Sequence, residues 1–292
     1  MSELDEGARH FRHAASAGQP DYGRAGRNVP VSLLVGALLL VAVLVPLFFF
    51  KTAFIGVVTL AAAIGVWEMT RAIRTGEANP ALLPLLGGSV AMVILAWYAG
   101  LEGLSTGLLV AALAALVWRM GDGPDGYLRD MGASLLVLVY VPFLLGFAVL
   151  LVRPDDGQWR ILAALLAVVL SDTGGYVAGV LFGKHPMAPT ISPKKSWEGF
   201  AGSIVATAGG GALMLWLFFP DAALWKGAIF GVIVSCAAVL GDLTESLIKR
   251  DLKIKDMSNL LPGHGGLMDR LDSILFAIPT AYLLLSVLVP AA

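Results

Sequence analysis

Residues 161–183 read ILAALLAVVLSDTGGYVAGVLFG, an apolar run interrupted at its middle by Ser171 and Asp172 and then spaced by glycines at 174, 175, 179 and 183. A helix needs about 20 mostly apolar residues to cross the hydrocarbon core of a bilayer, so this stretch reads as a membrane span. Runs of the same kind lie on both sides of it, at approximately 30–50, 52–70, 81–101, 103–118, 131–152, 199–219, 224–242 and 272–290. Together they predict an all-α polytopic bundle of about nine spans. The first two runs are separated only by Lys51, and the third and fourth only by Glu102 and its neighbours, so each pair should turn tightly.

Composition agrees. The chain of 292 residues is 58% apolar and 14% charged, with a mean hydropathy of +0.81, whereas a soluble domain is about 45–50% apolar and about 25% charged. A water-facing surface is excluded. Twenty Lys and Arg against 21 Asp and Glu leave a net charge of -1, which supplies no global field to attract nucleic acid. The single cysteine, Cys236, lies in an apolar run, so neither a disulfide framework nor a multi-cysteine metal site is available.

Basic residues favour cytoplasmic loops. In a nine-span arrangement the opening segment, the 71–80, 119–130 and 184–198 loops and the 243–271 segment hold sixteen of them, and the opposite side holds Lys51, Arg153, Arg160 and Lys226. The amino terminus is therefore expected in the cytoplasm and the carboxyl terminus outside. Residues 1–28 are polar, carry Arg9, Arg12, Arg24 and Arg27, and lack the pattern of a cleaved secretory signal. They read as a disordered cytoplasmic tail ahead of a transmembrane catalytic domain at 29–292. Its candidate active-site segments are 171–200 and 241–273.

Against this apolar background the polar exceptions are legible. The first half carries no intramembrane charge beyond Glu68, near a helix end, and no motif with attached chemistry. Asp172 is costly at membrane depth and either faces an aqueous cavity or bonds a neighbouring helix. Residues 172, 175, 179 and 183 share one helical stripe, whose glycines allow close approach of another helix or pairing of two copies as a homodimer. The loop Ser192-Pro193-Lys194-Lys195-Ser196-Trp197-Glu198-Gly199 places two lysines before a helix amino terminus, an arrangement that suits phosphate. Topology and plain capping by Ser196 account for it equally well.

The segment 241–273 is the longest polar stretch within the membrane domain. On a helix continuing from the eighth span, Asp242, Ser246, Lys249 and Lys253 fall on one face, and Arg250, Lys255 and Asp256 follow. Leu261-Pro262-Gly263-His264-Gly265-Gly266 must break the helix and bring backbone amides close to something. Asp269 and Asp272 then stand at the entrance to the last span. With Asp242 they provide hard oxygen ligands of the type that hold Mg²⁺ beside phosphates, and the surrounding cations would neutralise the phosphates.

The run Ser246-Leu247-Ile248-Lys249-Arg250, Lys255-Asp256-Met257-Ser258 and Leu261 through Asp272 resembles the complete signature of the phosphatidate cytidylyltransferase (CDP-diglyceride synthetase) family. Ser171-Asp172-Thr173-Gly174, Phe182-Gly183-Lys184, Ser192 to Gly199 and Gly241-Asp242 resemble further blocks of it. The resemblance spans roughly the last 120 residues. It implies the reaction of CTP with phosphatidate to give CDP-diacylglycerol and pyrophosphate for phospholipid synthesis, catalysed by an integral protein of the cytoplasmic membrane whose site faces the cytoplasm. It further implies Mg²⁺ held by Asp242 and Asp269, with Asp172 and Asp272 holding a second cation or orienting ligands. Lys194, Lys195, Lys249 and Arg270 become candidates to clamp phosphates, His264 to donate to phosphate or order its turn, and Ser246, Arg250, Lys255 and Asp256 candidates as signature residues. The competing reading is a secondary transporter of an anionic solute with Asp172 as a proton-coupling carboxylate; the polar features show no inverted repeat.

Overall fold

The computed structural model describes residues 29–220, 222–261, 263 and 265–290. The expected tail at 1–28 and His264 lie outside them. The chain forms α1 (Val29–Phe49), α2 (Lys51–Ile73), α3 (Leu82–Met120), α4 (Tyr127–Leu138), a π-helical turn (Val139–Phe143), α5 (Leu144–Val152), α6 (Gly157–Phe182), strands β1 (Pro186–Ala188) and β2 (Ser192–Ser196), α7 (Trp197–Phe218), α8 (Leu224–Asp251) and α9 (Met268–Leu288). It is an all-α polytopic bundle. Seven of its helical segments, the run 127–152 counted as one, are long and apolar enough to cross a membrane, and the described part of α1 adds a shorter apolar helix, Leu34–Phe49.

Local chemistry explains the irregularities. In α3, Gly100 takes φ +65° and ψ -143°, a conformation in which a Cβ would be strained. The two arms of α3 fold back on each other there: a Cβ on Gly88 would strike Ala111, and one on Gly107 would lie 2.9 Å from Met92. The close turn expected near Glu102 is thus made by Gly100. Pro142 lacks the amide that would continue the α-helical ladder, and the wider π turn at Val139–Phe143 accommodates it between α4 and α5. Helix α8 runs past the eighth apolar stretch only to Asp251. Lys253, expected on the same helical face as Asp242, lies beyond its end at φ +56°, where the Ile254 amide returns to the Lys249 carbonyl at 2.9 Å.

Helices α6 to α9 pack most extensively on their neighbours in sequence, and α2 to α5 pack alongside, with α9 touching both groups. Small residues make the close approaches. A Cβ on Gly174 would lie 2.6 Å from the Ala206 Cβ, and one on Gly227 would lie 2.7 Å from the Ala212 Cα. The glycine stripe of α6 is therefore occupied within the chain by α7. The loops collect at two ends of the bundle. At one, Glu77 pairs with Arg129 at 3.2 Å and Arg250 donates to the Ile191 carbonyl at 3.3 Å. At the other, Lys51 donates to the Pro154 carbonyl at 2.5 Å and Lys226 to that of Leu288 at 2.8 Å. The first end is anchored by the buried pair of Arg119 and Asp130, whose Nε and Nη2 both stand 2.9 Å from Oδ2.

Candidate active site

At the first end a cavity of about 330 Å³ opens between α6, β2, α7 and α8, lined among others by Asp172, Lys194, Lys195, Ser203 and Asp242. Asp172 is exposed and lines the cavity, while Gly174 and Gly175 just beyond it lie against α7. Two charged segments far apart in sequence meet here: Lys195 on β2 forms an ion pair with Asp242 on α8, both side chains being about a quarter exposed. Ser246, one turn along α8, donates to Asp242 Oδ1 at 3.4 Å. Lys194 is exposed at the rim.

The lysine loop is more ordered than its composition suggests. Strands β1 and β2 pair antiparallel, Pro186 opposite Ser196. Ser196 caps α7, accepting from the Gly199 amide at 3.1 Å. The Trp197 amide donates to the His185 carbonyl at 3.0 Å. Glu198 accepts from the Lys184 and His185 amides and from the His185 ring. Part of the donor set expected to meet phosphate at this helix start is therefore satisfied by the protein. The lysine side chains are what face the cavity. Below it, buried hydroxyls tie three helices together: Ser171 and Ser235 are 2.9 Å apart, and Ser203 donates to the Ser171 carbonyl at 2.7 Å. No periodicity in the sequence marks these serines.

A second polar centre lies where α8 meets α9. Gly241 brings them together, since a Cβ there would lie 3.3 Å from the Ser273 Cα. Lys249 bridges Glu245 at 3.1 Å and Asp269 at 3.0 Å. Glu245 is fully buried, and its carboxylate oxygens make no hydrogen bond, Lys249 being the cation beside it. The i, i+4 spacing of Glu245 and Lys249 was the available signal for this pair. Asp269 is nearly filled by protein donors, its Oδ2 accepting from the Met257 amide at 3.0 Å and the Gly266 amide at 2.7 Å. Asp272 accepts from the Ser273 amide at 2.6 Å. Arg250 reaches the Ile191 carbonyl, and Lys255, Asp256 and Arg270 are exposed around the loop.

The glycine-rich break does bring backbone amides close to something, and that something is protein carboxylate. Gly265 has φ +77°, and a Cβ there would lie 2.9 Å from Asp269 Oδ2. At Gly266 a Cβ would lie 2.9 Å from both oxygens of Glu68. Glu68 on α2, to which the sequence attached no chemistry, accepts from the Ser258 hydroxyl at 2.5 Å and from the Leu267 and Met268 amides at 3.0 and 2.8 Å.

Asp172 and Asp242 line one cavity and Asp272 lies against Gly241, the neighbour of Asp242; their oxygen donors suit a hard divalent cation. Among the described residues no three carboxylates stand already gathered at metal-holding distance. The set fits such an ion in type, and Asp269 would reach it only by giving up a protein donor.

Comparison with known proteins identifies the family. Residues 31–288 match the model of the cytidylyltransferase family. A phosphatidate cytidylyltransferase of Mycobacterium bovis is 41% identical over 283 residues, covering 91% of this chain and 90% of that protein. One of Mycobacterium leprae is 40% identical, covering 98% and 96%. One of Staphylococcus saprophyticus is 40% identical over 156 residues, 53% of this chain. The matches extend through the amino-terminal helices as well as the polar segments, and the chain belongs to the cytidylyltransferase family.

Proposed function

We propose that the protein transfers the cytidylyl group of CTP to phosphatidate, forming CDP-diacylglycerol and pyrophosphate. The observation that carries this reading is the meeting of Lys195 and Asp242, with Asp172 and Lys194, in one cavity at the end of an apolar bundle. Both substrates are highly anionic, one soluble and one lipid, and only a charged cavity at a bundle end serves both. The relatives' names are those of transferases acting on this lipid, which favours the enzyme over a carrier.

In the reaction a phosphate oxygen of phosphatidate forms a bond to the α-phosphorus of CTP, and the bond from that phosphorus to the β-phosphate oxygen breaks. Pyrophosphate leaves with the bond's electrons. Such transfers depend on positioning and charge neutralisation more than on a protein nucleophile. Lys195 and Lys194 neutralise phosphate oxygens, and Lys195 exchanges its Asp242 partner for substrate as the nucleotide enters. Asp242, with Asp172 and Asp272 beside it, is the carboxylate set that would hold Mg²⁺, which supplies Lewis-acid polarisation when bound. Asp269 joins that set only if Lys249 releases it; otherwise it orders the loop. Arg270, Lys255 and His264 are proposed to meet the departing pyrophosphate. The end of the bundle that carries the cavity is assigned to the cytoplasm and the membrane to the cytoplasmic membrane, on the basis of the basic residues.

The test is pyrophosphate release by the purified protein given CTP, Mg²⁺ and phosphatidate. Release should match CDP-diacylglycerol formed one for one and cease when diacylglycerol replaces phosphatidate. No release from any lipid would overturn the proposal.

A further inference from the structure

Glu68 lies in the half of the chain that has no polar motif, yet it holds the loop that carries most of them. It is buried. Its Oε1 accepts from the Ser258 hydroxyl and the Leu267 amide, and its Oε2 from the Met268 amide. Those two amides open α9 and belong to the set that no helix can satisfy internally; a carboxylate there also meets the positive end of the helix. On the other side of the loop, Asp269 takes the Met257 and Gly266 amides. Three successive amides, Gly266 to Met268, are thus divided between a carboxylate of α9 and one of α2. No side chain larger than hydrogen fits at Gly266 without displacing Glu68.

We propose that Glu68 is a positioning residue for cytidylyl transfer. It fixes the loop residues Ser258 and Gly266–Met268 and the first turn of α9, so that Asp269 keeps Lys249 in place and Asp272 stands beside Asp242. The body of α2 does not need this contact to stay in the bundle, because Phe54, Val58, Ala62, Val66 and Met69 bury its apolar face. Loss of the carboxylate should therefore loosen the loop and leave the helices packed.

The test compares Glu68→Gln, Glu68→Asp and Ser258→Ala in the full chain. In Glu68→Gln an amide NH₂ replaces one acceptor and confronts a backbone N–H. Turnover number should fall on the order of 10- to 100-fold, as for other groups that orient a site through their neighbours. KM for CTP should change by less than about threefold, since binding contacts are retained. Backbone hydrogen exchange should accelerate only in peptides covering 256–268, and Glu68→Asp should recover part of both effects. Ser258→Ala should give a smaller loss that is less than additive with Glu68→Gln. Wild-type turnover in Glu68→Gln would overturn the proposal, as would exchange raised throughout the bundle or lost activity with an unchanged loop. If Glu68→Gln does not accumulate, Ser258→Ala decides: unchanged turnover and unchanged loop exchange would overturn it. The proposal rests on the cytidylyltransferase reaction, but the exchange measurement needs no turnover. Loop-confined acceleration with an inactive wild-type protein would refute the reaction and support the clamp.

Discussion

Lys195→Gln should separate catalysis from stability. The substitution keeps most of the side chain's length and removes one ammonium from the cavity. Its partner, Asp242, keeps 29% of its side-chain surface accessible, and Lys195 keeps 25%, so water screens the carboxylate that is left alone. A partly solvated pair of this kind contributes about 0.2–1 kcal/mol to stability. In a chain of this size that lowers Tm by no more than about 4 °C. Catalysis should suffer far more, because a charged donor aimed at the charge that develops as pyrophosphate leaves is worth about 10²- to 10³-fold in kcat. The assay is steady-state pyrophosphate release in vesicles containing phosphatidate, with CTP varied, alongside thermal unfolding of the same preparation. Lys195→Arg should fall between, since a planar fork replaces a compact charge. A kcat within about threefold of wild type would return the lysine to a purely topological role. A fall in kcat matched by a Tm drop of more than about 10 °C would make it structural.

Other outcomes follow from the same geometry. Asp242→Asn should abolish turnover and its response to added Mg²⁺ while shifting Tm by less than about 4 °C, because the residue is partly solvated; retained Mg²⁺-dependent turnover would remove it from the cation set. Arg119→Met strands the buried Asp130 carboxylate and should cost about 3–5 kcal/mol, seen as a Tm lowered by about 10 °C; an unchanged Tm would contradict the burial of the pair. Gly227→Leu forces a side chain against the α7 backbone and should destabilise by at least about 2 kcal/mol, read by thermal unfolding; a neutral result would mean that α7 and α8 stand further apart. Reporter fusions within 184–198 and at the carboxyl terminus should report opposite sides of the membrane, and a shared side would refute the nine-span arrangement.

The helices were legible because a bilayer demands long apolar runs, and those runs are local in sequence. Asp172, Lys195 and Asp242 stood out for the same reason, as charges in an apolar setting. What the sequence does not carry is which charge meets which. Lys195 and Asp242 lie on a strand and a helix with α7 between them, and no period links the two. The basic residues of 243–271 pointed to an external anion, but Lys249 is engaged by Glu245 and Asp269. The helical pattern puts Lys253 on the face of Asp242, but the helix stops at Asp251 and Lys253 itself takes the positive φ that turns the chain away. A lone carboxylate near a helix end, as Glu68 reads in the sequence, is an ordinary feature until its partners are known, and two of the three are backbone amides, which have no sequence signature.

The hydrogen bonds of Glu68 span 190 to 200 residues of chain. At roughly 5–20 residues per second of synthesis, Glu68 leaves the ribosome some 10–40 s before Ser258, Leu267 and Met268 exist. Throughout that interval the nascent protein carries a carboxylate whose eventual ligands have not been made. Closure of the loop on Glu68 therefore waits until residues 258–268 have been made. A chain cut short before residue 258 carries Glu68 without the Ser258 hydroxyl and the Leu267 and Met268 amides that satisfy it in the finished protein.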